Sequence, residues 1–233
     1  MNTIEDQIGA MLSSIRTLSE EEMAAHDWKH TIKPALAGIG IEPRHQARMT
    51  AQFCAEQKAV FRALERFCVG KGAIVVLSGN RGCGKTTVAT QFMRERLEGR
   101  NAWFSKPEVD RSGVCPREPG RYYKLTHISS MFKQLFADFG GVDTETLRER
   151  YEHICSMPFL VIDEIHDGDD LKTQARLLID LLDRRYAKLV DTVLISNHDP
   201  EAFRNEMNAS ILSRISEDGA IIPCLWQSFR SQK

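Results

Sequence analysis

From residue 46 onward, short apolar runs alternate with longer stretches whose apolar side chains recur every three or four positions. Five runs have strand character: Ala73-Ile74-Val75-Val76-Leu77, Tyr122-Tyr123-Lys124-Leu125-Thr126, Phe159-Leu160-Val161-Ile162 behind Pro158, Thr192-Val193-Leu194-Ile195-Ser196 and Ala220-Ile221-Ile222-Pro223-Cys224. Near-continuous apolar runs, as opposed to strict alternation, are what strands covered on both faces look like. The stretches around them read as helices. One covers 46–69, with Phe53, Val60, Phe61, Leu64 and Phe67, and stops at Gly70. One opens at Thr87-Val88-Ala89, and one passes through Met131, Leu135 and Phe136 to Gly140-Gly141. Asp143 caps another, Leu171 to Lys188 forms the next, and Asp199 caps a last one with Pro200 in its first position. Strand and helix in alternation predict an α/β fold: a five-stranded parallel sheet flanked by helices. Pro223 puts the fifth strand at a sheet edge or strand end.

The first 45 residues follow a different pattern. Ile4, Ile8, Met11, Leu12, Ile15 and Leu18 make one helical stripe, and Ser19 followed by Glu20, Glu21 and Glu22 starts a second helix. Pro34, Gly38, Gly40 and Pro43 then interrupt it. Two domains are expected: a helical N-terminal module over 1–45 and an α/β domain over 46–233. A loop insertion at 105–120 is marked by Pro107, Gly113, Pro116, Pro119 and Gly120. The stripe either packs on its own domain or presents a partner-binding helix.

The chemistry starts where the first strand ends. Gly79-Asn80-Arg81-Gly82-Cys83-Gly84-Lys85-Thr86 matches G-x-x-x-x-G-K-[ST], with a strand before it and a helix from Thr87 after it. Glycines let the backbone curl around a phosphate, and the loop N–H groups and helix N-terminus face the anion. Lys85 then reaches the β- and γ-phosphates, and the Thr86 hydroxyl holds Mg²⁺. The third strand delivers Asp163 and Glu164 to the same crevice, the usual ligand side of an open α/β sheet. Asp163 is the second metal-holding residue and Glu164 the group that polarises water. A glycine-rich turn and two surface acids would explain each piece alone; the pair in this order points to an ATP site. Asp163-Glu164-Ile165-His166 also spells a helicase box, but the roughly 160 residues after the first strand hold one such domain, not two. The base-reading Asn-Lys-x-Asp of small GTPases is missing; Asn197-His198-Asp199-Pro200 lacks the lysine.

Composition narrows the classes. A chain of 233 residues with net charge −1 has no global field to draw it to DNA or a membrane, so any nucleic-acid surface is local. Six scattered cysteines (54, 68, 83, 115, 155 and 224) form no C-x-x-C pair and read as reduced thiols. His26 and His30 share a helix face without a further ligand nearby. No apolar run approaches 18 residues and the N-terminus is acidic, so no membrane partner and a cytoplasmic location are expected.

Strand four ends at Ser196-Asn197, which puts an amide beside the acids. Leu182-Asp183-Arg184-Arg185-Tyr186, Leu212-Ser213-Arg214-Ile215 and the terminal Trp226-Gln227-Ser228-Phe229-Arg230 complete an order. Together with Leu160 to Ile165, that order resembles the AAA+ ATPases. Within them it is similar to the DnaC/IstB-like group of helicase loaders and transposition ATPases, over roughly residues 55–230. The resemblance implies a P-loop AAA+ domain that takes ATP and Mg²⁺ and self-assembles into a ring or spiral. It implies Asn197 as sensor 1, Arg214 as an arginine finger acting on a neighbour's ATP, and Arg230 as sensor 2 on its own. No full helical lid is expected after Arg230, and the insertion is longer than the family pattern. Lys172, Arg176, Arg184 and Lys188 fall four or eight apart on one helix, a winding basic stripe near where the family's DNA channel lies. The bland reading is a solvated face, as Phe132, Phe136 and Phe139 are core before they are base-stacking groups.

The expected function is that of an ATPase in DNA replication: a replicative DNA helicase loader that binds single-stranded DNA and engages the helicase through its N-terminal module. The alternatives are an IstB-like transposition ATPase on double-stranded DNA and a nucleotide-switched adaptor with little turnover. A small-molecule kinase fits less well, because a water-polarising glutamate suits hydrolysis.

Overall fold

All five strands run parallel, in the order β2-β3-β4-β1-β5. They are β1 (Ile74–Gly79), β2 (Arg121–Lys124), β3 (Phe159–Asp163), β4 (Asp191–Ser196) and β5 (Ala220–Cys224). The computed structural model describes residues 33–48, 52–98, 120–136, 144–165 and 171–229. The chain divides into two units, 1–35 and 36–233, and the whole sheet belongs to the second. The N-terminal stripe, His26 and His30, most of the 1–45 module, the 105–120 insertion up to Pro119, Cys115, Phe139, Asp143 and Arg230 lie outside the described residues.

The expected α/β architecture is present. Every residue of β1, β3 and β4 is buried, which is why those segments read as continuous apolar runs. β5 pairs on one side only, with Pro223 opposite Ser78, so the proline does sit on an edge strand. The helices are α1 (Lys33–Gly38), α2 (Pro43–Gln46), α3 (Ala55–Phe67), α4 (Lys85–Glu98), α5 (Leu125–Phe136), α6 (Thr144–Ser156), α7 (Leu171–Ala187), α8 (Pro200–Glu206) and α9 (Ala209–Asp218). Asp199 caps α8 as expected, its carboxylate accepting from the Glu201 and Ala202 N–H groups at 2.9 and 3.0 Å.

Two boundaries differ from the pattern. The long helix expected over 46–69 starts only at Ala55, because Cys54 is extended and the Gln57 side chain takes its N–H at 3.1 Å in a capping box. Phe53 kept the apolar spacing going from outside the helix; its ring packs 6.0 Å from Phe61, which meets Phe92 at 5.5 Å. Leu125 and Thr126, expected in strand two, open α5 instead.

The core lies between the sheet and α5, α6, α7 and α9, with Leu177, Leu178, Leu181 and Leu182 of α7 facing Ile154, Cys155 and Leu160. One turn beyond, Arg185 is 1% exposed. Its guanidinium donates to Thr192 Oγ1 (2.8 Å) and to the carbonyls of Ile154 (2.7 Å), Met157 (2.9 Å) and Asp191 (2.6 Å). Burial pulls its pKa down to about 9. Asp191, fully buried at the start of β4, accepts from the N–H groups of Gly70 (2.7 Å), Lys71 (3.2 Å) and Ala73 (3.2 Å), and pairs with Arg96 at 3.3 Å. Desolvating a charge is costly unless each of its hydrogen-bonding atoms finds a partner. Asp191 therefore pins the approach of β1 to the entry of β4, and Arg185 ties that entry to α6 and the approach of β3.

Asp191→Ala removes the acceptor for three backbone donors and the carboxylate that pairs with Arg96. Breaking such a buried charge site costs about 3–5 kcal/mol, to be read from urea unfolding. A loss below about 1 kcal/mol would show that the β1 entry is held by something else.

Candidate nucleotide-binding site

The strand order builds the site. β4 lies between β1 and β3, so the ends of three adjacent strands bring together the glycine loop, Asn197 and the Asp163-Glu164 pair. The loop needs its glycines: Gly82 and Gly84 sit at φ 83° and 90°, and Gly79 at 146°. A Cβ on Gly79 would strike the Cys224 carbonyl, and one on Gly84 the Gln57 amide. α4 begins at Lys85, so its N-terminus opens onto the loop. Lys85 is 5% exposed, and its ammonium donates to the Gly79 and Asn80 carbonyls at 2.8 and 2.7 Å, inside the curl. The buried Cys83 thiol donates to the Asn80 carbonyl at 3.0 Å, and burial raises its pKa. Asn80 ties the loop to the chain end through its side-chain amide, 3.2 Å from the Leu225 carbonyl.

The two expected metal-holding residues are in contact. Thr86 Oγ1 donates to Asp163 Oδ2 at 2.7 Å. Tyr122, from β2, donates to the same oxygen at 2.8 Å, and the Glu164 N–H takes Oδ1 at 2.7 Å. Burial, then the Asp163 charge, pushes the Tyr122 phenol well above its ordinary range, so it stays a donor. Two adjoining oxygen ligands open to a cavity are the donor set that suits Mg²⁺, which keeps water in its other positions. Glu164 follows in the left-handed region at φ 58°, an uncommon conformation for a side-chain-bearing residue. Its carboxylate pairs with Lys124 Nζ at 3.3 Å, and Lys124 also reaches Glu42 at 3.5 Å.

A cavity of about 670 Å³ joins these parts, with Arg81, Gly82, Gly84, Lys85, Thr86, Thr87, Asp163, Glu164 and Asn197 on its wall. The opposite wall was not foreseen: Arg44, His45, Arg48, Gln52 and Gln57, with Phe229 at the rim. His45 is held neutral, its pKa brought down to about 4 by burial and then by Arg44. Apart from Gln57, whose capping-box spacing is visible, these residues carried no motif. Lys124 and Tyr122 could have been found by placing strand two beside strand three, where Lys124 pairs in register with Asp163.

Other expected residues lie elsewhere. Arg214 is on α9 and does not line this cavity; it pairs with Asp183 at 2.9 Å and lies 5.5 Å over the Tyr186 ring. On α7, Lys172 and Arg176 are exposed. Arg184 pairs with Asp180 (2.9 Å) and Glu152 (2.5 Å), and Lys188, just past the helix, with Glu152 (3.5 Å). Half of the basic stripe is thus matched by local acids. Phe132 packs on Tyr151 at 5.6 Å, a core role.

Several solved structures share the fold. A DnaC helicase loader superposes with a TM-score of 0.58 at 17% identity, over 80% of this chain and 100% of that one. A DNA replication initiation factor gives 0.54 at 12% identity, over 75% and 48%. The replication initiator DnaA bound to AMPPCP and single-stranded DNA gives 0.53 at 14% identity, over 78% and 50%. The chain therefore spans about half the length of the latter two. No curated protein matches it. The family model described as AAA domain matches residues 71–197, from the approach to β1 through Asn197. The glycine loop, the acids and the strand order that joins them all fall inside that match, and the chain belongs to the AAA domain family of P-loop proteins.

Proposed function

We propose that the protein binds ATP in this cavity, hydrolyses it, and acts in DNA replication as a helicase loader that binds single-stranded DNA. The observation that carries the nucleotide reading is the Thr86–Asp163 hydrogen bond with Glu164 one residue on. It ties the phosphate loop to the acids in a single site. Lys85 and the loop amides bind the β- and γ-phosphates. Mg²⁺, held by Thr86 and Asp163, supplies charge neutralisation there. Glu164 accepts the proton of the attacking water, and Asn197 orients that water from between the loop and the acids. A base in an ion pair is a weaker base, so Lys124 must loosen its hold on Glu164 for turnover.

Hydrolysis also needs a guanidinium on the phosphoryl oxygens as charge spreads. Arg214 does not line its own cavity, and it is proposed to serve the site of an adjacent subunit in a ring or spiral. Arg230 is proposed for the chain's own nucleotide. Lys172 and Arg176, with Arg184 and Lys188 when their acids let go, are the proposed DNA contacts. The N-terminal module over residues 1–45 is proposed to engage the replicative helicase. Likeness of fold to a DnaC helicase loader supports the loader assignment. A nucleotide-switched adaptor with little turnover is the second reading, favoured by the Lys124–Glu164 pair.

Glu164→Gln should bind ATP normally and lower phosphate release by about 100-fold or more; unaltered turnover would remove Glu164 from the mechanism. Arg214→Ala should lose assembly-dependent hydrolysis, and mixing it with Lys85→Ala, which still offers Arg214, should restore part of it. Absence of rescue would count against action between subunits. Fluorescence anisotropy on single- and double-stranded oligonucleotides, with and without ATP and Mg²⁺, tests the role. ATP-dependent, salt-sensitive preference for single strands supports the loader. Preference for duplex points to a transposition ATPase, and binding to neither removes the DNA reading.

A further inference from the structure

The cavity wall is polar almost throughout: arginines, glutamines, threonines, the two acids and Lys85. Such a wall suits a triphosphate and a ribose; for a flat π-system it offers the arginine planes, the largely buried His45 ring and one exposed aromatic ring. Among the described lining residues one side chain is apolar, Phe229. It is 43% exposed, the only aromatic among the exposed large hydrophobic residues described. The ring lines the cavity and is open to whatever occupies it.

The ring does not hang free. The segment after β5 crosses the phosphate loop and is fastened to it by three hydrogen bonds. Trp226 Nε1 donates to the Cys83 carbonyl at 2.8 Å, and the Phe229 N–H to the Gly82 carbonyl at 3.1 Å. The Leu225 carbonyl accepts from Asn80 Nδ2 at 3.2 Å. The edge of the Phe229 ring lies beside the Gly84 backbone, 3.5 Å from where a Cβ would stand. Across Gly84 is Gln57, and beyond it the wall of Gln52, Arg48 and Arg44. Phe229 and the Gln57 side thus both border the loop that would hold the phosphates.

We infer that Phe229 is the base-stacking face of the site: the nucleobase of the bound nucleoside triphosphate lies against its ring. The inference rests on the proposed nucleotide site and adds to it the residue that tells a nucleotide from bare polyphosphate. Stacking is tolerant of base identity, because every base has a π-face. The ring therefore contributes affinity for nucleotides in general and leaves the choice among bases to the polar edge.

The test is isothermal titration calorimetry on the full chain with Mg²⁺, using ATP, GTP and inorganic tripolyphosphate. Phe229→Ala should weaken ATP and GTP by like factors, about 5- to 100-fold, and leave tripolyphosphate unchanged. Phe229→Trp should restore both nucleotides. Unchanged ATP affinity in Phe229→Ala overturns the inference. So does an equal loss of ATP and tripolyphosphate, which would make the ring a prop for the loop. Lys85→Ala tests the phosphate site separately, since it should abolish tripolyphosphate binding. If it does not, the phosphate site has failed, while the ratio of ATP to tripolyphosphate affinity in Phe229→Ala still decides the role of the ring.

Discussion

Three parts of the molecule meet on the carboxylate of Asp163. Thr86 approaches from the loop and its helix, Tyr122 from β2, and the Glu164 N–H from its own chain. Asp163 is 6% exposed, and both of its carboxylate oxygens accept hydrogen bonds. The contact is demanding in register. β2 must pair with β3 so that Tyr122 lies two residues before Lys124, itself opposite Asp163. α4 must start at Lys85 so that Thr86 faces inward. Moving β2 or α4 by a residue would cost the buried carboxylate one of its three donors.

A second polar cluster lies at the other end of the sheet. Asp191 joins the approach of β1 to the entry of β4, and Arg185 joins that entry to α6 and the approach of β3. The molecule therefore has a polar clamp at each end of its central strands, with a wholly apolar layer between. The lower clamp has no chemistry to perform. It holds strand entries together, while the upper one gathers the loop, Tyr122 and the acids.

Much of this was legible in the chain. Continuous apolar runs betray strands buried on both faces, and the motifs follow because a phosphate loop needs glycine at positive φ and a buried lysine. What the pattern hid shares a cause. Phe53 imitated a helical residue while standing outside the helix. Arg184 and Arg185 are neighbours in sequence, yet Arg185 is the most deeply buried cation described and Arg184 lies in surface ion pairs. Periodicity says which face a residue occupies, and a helix packed on a sheet has more than one buried edge. The wall of Arg44, Arg48 and Gln52 was invisible for another reason: it approaches the loop through tertiary packing from a segment with no motif of its own.

The bonds between the chain end and the loop also decide how ready that loop is. The carbonyls of Gly79 and Asn80 are taken by Lys85, that of Gly82 by the Phe229 N–H and that of Cys83 by the Trp226 indole. In a trans peptide the N–H points opposite to the C=O. Turning the Gly82 and Cys83 carbonyls toward the C-terminal segment thus turns the Cys83 and Gly84 amides away from it. The dipoles an anion would meet are oriented before it arrives, and little reorganisation energy is left for binding to supply.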